Sequence, residues 1–158
     1  MIRRAFLLGA LALAGCARPA VTPASPTDPN AMLVVTLMPS EDTPTAVRME
    51  VSNPGEAALE FCVYHTAFEG LRNDIFEVQD DQGAAVPYVG IMAKRAPPGP
   101  EHYATIAPHK FRVAEVDLTE GYALGPGTYR VRYRGTDISG LPDSAWLDLV
   151  VESPQPSR

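Results

Sequence analysis

The feature that most constrains the fold is a strict alternation of apolar and charged residues near the C-terminus. In residues 129–134, with the sequence YRVRYR, Tyr129, Val131 and Tyr133 alternate with three arginines. Successive side chains of a β-strand point to opposite faces, so the alternation predicts a strand with one buried and one solvated face. Val47, Met49 and Val51 alternate with polar residues in the same way.

Several other short segments have the composition of strands, and turn-forming residues separate them. Strands are predicted at residues 32–38, 47–51, 59–64, 74–79, 86–89, 111–118, 129–134 and 145–151. The 16 prolines and 12 glycines are spread along the chain and disfavour long helices. The pattern predicts an all-β fold, an immunoglobulin-like antiparallel β-sandwich of seven or eight strands, with an unrelated small barrel as the alternative.

The N-terminus has the layout of an export signal. Arg3 and Arg4 precede ten residues, 5–14, which are all Ala, Leu, Phe or Gly and are too few to span a bilayer as a helix. The following Leu13-Ala14-Gly15-Cys16 resembles the bacterial lipobox, in which the cysteine thiol is acylated and becomes the new N-terminus. An ordinary secretory signal with an incidental cysteine is the alternative. General export is favoured over the twin-arginine route.

These segments define the expected domain organisation. Residues 1–15 are predicted to be the lipoprotein signal peptide, 16–31 the acylated Cys16 with a Pro-rich tether, 32–152 the β-sandwich and 153–158 a disordered tail. The protein is expected to face the periplasm of a bacterial cell envelope, anchored to the lipid bilayer through Cys16, with the outer membrane favoured. Cys62 would then be the one cysteine with a free thiol, so no disulfide within the chain is expected.

Charge and motifs argue against several function classes. The net charge is −6, and loss of Arg3 and Arg4 with the signal would make it −8, whereas nucleic-acid binding needs a basic surface. Common catalytic motifs are absent, including H-E-x-x-H, G-x-S-x-G and C-x-x-C. The three histidines are widely spaced, and Cys62 has the surroundings of a buried apolar residue. The sequence therefore predicts a protein that is not an enzyme, with no metal, no cofactor and no small-molecule substrate.

One proline-rich segment stands out as a candidate recognition surface. Lys94 and Arg95 precede the run Ala-Pro-Pro-Gly-Pro, which includes Pro97 and Pro98, and Tyr103 follows it. Prolines hold a loop in an extended conformation, so it loses little entropy on binding. Lys94, Arg95, Pro97, Pro98 and Tyr103 are therefore the predicted partner-binding residues. The alternative is a crossover between sheets in which the prolines protect an edge.

The middle of the chain resembles a known family. The residues that carry the likeness are Phe68-Glu69-Gly70, Asn73-Asp74-Ile75-Phe76, Val86-Pro87-Tyr88-Val89-Gly90, Lys94-Arg95-Ala96-Pro97-Pro98, Tyr103, Val116-Asp117-Leu118, Tyr122 and Gly127-Thr128-Tyr129. Together they resemble the N-terminal propeptide domain of deuterolysin-type zinc endopeptidases, the aspzincins. The resemblance implies a small β-sandwich that chaperones and inhibits an attached protease, yet the catalytic domain and its H-E-x-x-H motif are missing here.

Two hypotheses follow from the resemblance. In the first, the domain is a lipid-tethered, non-catalytic binding module that binds an envelope or secreted protease as an inhibitor or chaperone. In the second, it is a structural or assembly lipoprotein, with the sandwich as a spacer or docking subunit. The second predicts that Phe76, Tyr88 and Tyr129 belong to the core and that Arg95 pairs with an acid such as Asp74 or Glu69.

Overall fold

A computed structural model describes residues 32–152, so Cys16, the predicted signal peptide, the tether and the C-terminal tail lie outside the described residues. The described part contains eight β-strands and three short 3-10 turns. The strands are β1 (Val34–Pro39), β2 (Ala46–Ser52), β3 (Leu59–Cys62), β4 (Phe76–Gln79), β5 (Tyr103–Ile106), β6 (Phe111–Asp117), β7 (Gly127–Tyr133) and β8 (Leu147–Val151). This confirms the predicted all-β antiparallel fold.

The strands are arranged in three antiparallel hydrogen-bonded groups. Their orders are β1-β2-β6, β3-β5 and β4-β7-β8. The central strands β2 and β7 carry the clearest alternation, since each is paired on both sides and has one face in the core. Val47, Met49 and Val51 of β2 are fully buried, as are Val131 and Tyr133 of β7. The alternating residues therefore form the core in the way that the sequence predicts.

One predicted strand is wrong and one observed strand was not predicted. Residues 86–89 form only an isolated bridge between Tyr88 and Tyr122, next to a second bridge at Ala85. Pro87 has no amide hydrogen to donate and therefore interrupts any regular ladder there. The unpredicted strand is β5, whose four residues alternate between exposed Tyr103 and Thr105 and the buried Ala104 and Ile106. A segment this short, lying between prolines, gives little periodic signal.

The sheets share one continuous core, to which every strand contributes. Phe76 is buried, whereas Tyr88 and Tyr129 are partly buried and pack against this core. The only free cysteine among residues 32–152, Cys62, is completely buried, as its apolar neighbours predict. Within the same residues, no helix has the length and apolar character needed to cross a membrane.

Candidate functional site

The proline-rich loop, defined here as residues 90–100, is held against the body of the domain at its start. The Val89 amide donates to the Gly121 carbonyl at 2.8 Å, and the Ala93 amide donates to the Arg72 carbonyl at 2.9 Å. The Tyr88 hydroxyl is 2.7 Å from the Ile91 carbonyl oxygen, its hydrogen-bond acceptor. These contacts fix the loop backbone to two separate parts of the chain.

Arg95 forms a second attachment point, deeper in the domain. Its Nη2 lies 2.8 Å from Glu69 Oε2, and its guanidinium lies 4.7 Å from the centre of the Tyr64 ring. The Glu69 side chain is only 8% exposed, and its other carboxylate oxygen accepts from the His65 amide at 3.0 Å. The pairing of Arg95 with an acid, predicted under the structural hypothesis, is therefore confirmed, and Glu69 is the acid.

Tyr64 also connects this cluster to the end of the loop. The Tyr64 hydroxyl lies 2.8 Å from His102 Nε2, and the two rings are 4.4 Å apart. His102 Nδ1 accepts a hydrogen bond from the Gly99 amide at 3.1 Å. Glu101 Oε1 lies 3.2 Å from the same Nδ1. His102 thus connects the end of the loop, at Gly99, to Tyr64.

The five predicted partner-binding residues fall into two groups. Arg95 is paired with Glu69 although it is partly accessible to solvent, while Lys94 and Pro97 are exposed at the surface. Pro98 and Tyr103, which is 46% exposed, line an open groove of about 600 Å³ together with Glu60, Pro100 and Thr105. The Thr105 hydroxyl donates to Glu60 Oε1 at 2.9 Å across the floor formed by β3 and β5. Two of the five, Pro98 and Tyr103, thus line the groove.

The sequence analysis missed three exposed apolar residues at the start of the loop. Val89, Ile91 and Met92 are 70%, 62% and 66% exposed. The signal that could have revealed them is the sequence VGIM of residues 89–92. Its glycine interrupts the alternation of inward and outward side chains that a regular strand would have. A Cβ atom on Gly90 would lie 2.7 Å from the Tyr88 hydroxyl, so the backbone packs too tightly for a side chain there.

A second polar cluster lies beneath the loop and has a structural character. The Tyr122 hydroxyl lies 2.8 Å from both Asp74 Oδ1 and the Phe76 carbonyl, and it accepts from the Phe76 amide at 3.2 Å. Burial, followed by the hydrogen bond and the charge of Asp74, raises the pKa of Tyr122 far above its usual value. Asp74 is also paired with Arg134 at 2.9 Å. The tyrosine therefore stays protonated and holds two segments together.

The side chains around the loop offer hydrogen bonds and apolar contact area. Between residues 32 and 152, no three His, Cys, Asp or Glu side chains come close enough to hold a metal ion. His109 lies on the surface, where its Nε2 is 3.2 Å from Glu56 Oε1. This contact is separate from the contact between Tyr64 and His102. The turn at residues 135–140 closes through a hydrogen bond from the Gly140 amide to the Thr136 carbonyl.

A scan against models of known protein families found no match for this chain, and a search of curated proteins found no significantly similar sequence. The resemblance to deuterolysin-type propeptides therefore remains a prediction that rests on the residues quoted above.

Proposed function

We propose that this protein is a lipid-anchored, non-catalytic binding module of the bacterial cell envelope, which recognises another protein through the groove beside the proline-rich loop. The observation that carries the proposal is the combination of a fixed backbone with exposed side chains. The loop is held by Tyr88, Arg95 and His102, while Pro97 and Tyr103 remain accessible. A surface that is already ordered loses little entropy when it binds.

The groove has the chemistry to receive an extended peptide. Tyr103 lines the groove together with Pro98 and Pro100, and grooves lined by aromatic residues bind extended, proline-rich peptides. Lys94 is exposed on the loop, where it could pair with an acidic side chain of the partner. The resemblance to aspzincin propeptides suggests a protease as that partner, with the domain as its inhibitor or chaperone.

A capture experiment tests the binding surface. The full-length protein is extracted from native membranes, and the variant Tyr103→Ala with Pro98→Ala is compared with Phe111→Ala, an exposed residue of β6 that does not line the groove. We expect the double variant to lose a co-purifying protein that the Phe111 variant keeps. Equal recovery of all bound proteins from both variants would reject the groove as the recognition surface.

A second assay tests the proposed class of partner. The purified protein is added at micromolar concentration to deuterolysin-type and other envelope proteases. We expect inhibition of at least one zinc endopeptidase, and weaker inhibition by the Tyr103→Ala variant. If a folded sample inhibits none of them, a protease is excluded as the proposed partner. The capture experiment then still tests whether the groove binds another protein.

The lipid anchor has its own test. The intact mass of the membrane-extracted protein should show cleavage before Cys16 and added acyl groups, and Cys16→Ser should abolish both the mass increase and membrane retention. Each buried methylene contributes roughly 0.8 kcal/mol, so two or three chains anchor the protein firmly. An unmodified Cys16 would contradict the anchor.

The structural or assembly role is the second candidate, and the Arg95–Glu69 pair favours it. Residues shared with the propeptide family hold this fold together, as the contacts of Arg95, Tyr88 and Tyr122 illustrate. Separate substitutions of Lys94, Arg95 and Tyr103 distinguish the two roles. Loss of stability with no loss of any partner would favour the structural role, whereas preserved folding with lost binding would favour recognition.

A further inference from the structure

Three apolar side chains project from one end of the domain. Val89, Ile91 and Met92, called here the apolar tip, are each more than 60% exposed and lie within four residues of one another. Isolated exposed apolar residues are common, but a contiguous group is typical of a contact surface. The tip lies at the start of the proline-rich loop and does not line the groove at Tyr103.

Three backbone polar groups beneath the tip are already hydrogen-bonded within the domain. The amides of Val89 and Ala93 donate to carbonyls of the body, and the Ile91 carbonyl accepts from Tyr88. Backbone groups that are bonded internally can enter a less polar environment without losing hydrogen bonds to water. The Gly90 backbone between these side chains is packed directly against Tyr88 and Gly121.

The segment that carries the tip has no acids of its own, although burial and then the charges of Asp74 and Glu120 raise the pKa of the adjacent Tyr88. Residues 82–100 contain no aspartate or glutamate, although the whole chain has 19 acids and a net charge of −6. Lys94 is exposed close to the tip, and exposed Arg72 is linked to it through the hydrogen bond from the Ala93 amide. Apolar side chains bordered by cations suit a lipid interface, where the chains enter the acyl boundary and the cations meet the headgroups.

We propose that the apolar tip inserts into the lipid interface of the membrane that carries the protein and so orients the domain on the bilayer. This inference rests on the proposed anchor at Cys16, 16 residues before Met32. Such a segment spans at most about 58 Å. The domain is therefore held at a high local concentration near the bilayer, where a weak contact becomes effective.

A lipid surface fits the tip better than a protein partner does. A specific protein interface buries about 800 Å² on each side, far more than three side chains provide. A projecting tip also needs a matching cavity in a protein, whereas a fluid interface adapts to it. The proline-rich loop would thus have two functions, with its start directed to lipid and its end bordering the groove.

Site-specific tryptophan fluorescence tests the orientation. The full-length chain is extracted from membranes and reconstituted in phosphatidylcholine vesicles. Acyl groups retain it there if Cys16 is modified, and the apolar residues 5–14 retain it if the signal is not removed. Met92→Trp is compared with Phe111→Trp, which places tryptophan at an exposed position of β6, and Trp146 of the parent supplies the background. Thermal unfolding of each variant confirms that it folds, and intact mass of the same samples reports on Cys16 separately.

We expect the emission of the Met92→Trp variant to shift to shorter wavelength and to be quenched by brominated lipid at least about twofold more than that of Phe111→Trp. Ile91→Asp in the Met92→Trp background should abolish both effects. Equal quenching of the two variants would overturn the proposal. A Met92→Trp variant that lipid does not quench, but whose emission shifts when solubilised envelope proteins are added, would also overturn it and would assign the tip to a protein.

Discussion

At the scale of single residues, Arg95 joins three segments that are distant in sequence. Its guanidinium contacts the Glu69 carboxylate and the Tyr64 ring, while its own backbone belongs to the proline-rich loop. The Glu69 carboxylate is buried and depends on this cation, because an unpaired buried charge is strongly unfavourable. Arg95 therefore anchors the loop to the body of the domain, and its predicted contact with a partner stays a prediction.

Arg95→Met should lower the free energy of unfolding by about 1–3 kcal/mol, because it leaves the Glu69 carboxylate buried without its counter-charge. Lys94→Met is the matched control, since it removes the neighbouring cation from an exposed position and should change stability by less than about 0.5 kcal/mol. Denaturant unfolding of both variants measures the difference. Equal stability of the two would contradict the anchoring role.

Tyr122→Phe removes a buried hydroxyl that joins Asp74 to the backbone of Phe76. We expect a loss of about 1–3 kcal/mol in the free energy of unfolding, because the Phe76 amide and the Asp74 carboxylate each lose a partner. Tyr129→Phe removes only exposed hydrogen bonds to Gly125 and should cost less than about 1 kcal/mol. Chemical denaturation provides the comparison, and the reverse order would show that the Tyr122 hydroxyl does not stabilise this region.

At the scale of elements, the start of the proline-rich loop depends on close packing against the turn that follows β6. A Cβ atom on Gly121 would collide with Cε2 of the Tyr88 ring, so glycine allows the ring to pack there. Tyr88 in turn packs edge-on against Tyr122, with ring centres 5.2 Å apart. One turn thus positions both the apolar tip and the tyrosine pair behind it.

Gly121→Ala should displace the Tyr88 ring and free the loop backbone, at a cost of about 1–3 kcal/mol from overpacking. We expect faster hydrogen exchange at the amides of Val89 and Ala93, which bond to this region of the body. Gly125→Ala is the control, because a Cβ atom there would meet open space. If both variants kept the parental exchange rates, the loop would not depend on Gly121.

At the scale of the whole molecule, two buried tyrosines link stability to alkaline pH. Burial raises the pKa of Tyr133 from its usual 10.0 to about 12, with a further contribution from Asp143, and the pKa of Tyr122 is raised as well. The folded state therefore holds these protons more tightly than the unfolded state. The stabilisation is complete below pH 10 and declines as pH rises from 10 towards 12.

The slope of stability against pH above pH 10 should therefore be negative, with up to about 1.4 kcal/mol per pH unit from each tyrosine. Tyr133→Phe should make this slope less negative. The loss of the hydrogen bond to the His65 carbonyl affects the absolute stability, which is a separate quantity. Urea denaturation at a series of alkaline pH values measures it. A Tyr133→Phe slope identical to that of the parent protein would contradict the assignment.

The strand pattern was predictable from local sequence because strand periodicity is a property of neighbouring residues. Val47, Met49 and Val51, like Val131 and Tyr133, reveal their buried face by alternation alone. Short or interrupted segments carried too little of this signal. Hence β5 was missed and residues 86–89 were wrongly predicted to be a strand, since only their position beside Tyr122 decides how they pair.

The candidate site was predictable as a region but not residue by residue. The prolines, the lysine and Tyr103 marked the segment, yet nothing local shows that Arg95 turns towards Glu69 while Ile91 and Met92 turn towards solvent. The sequence by itself determined the all-β class, because alternation acts between adjacent residues. Tertiary structure alone decided which loop residues are anchors and which are exposed, because burial depends on partners that are far apart along the chain.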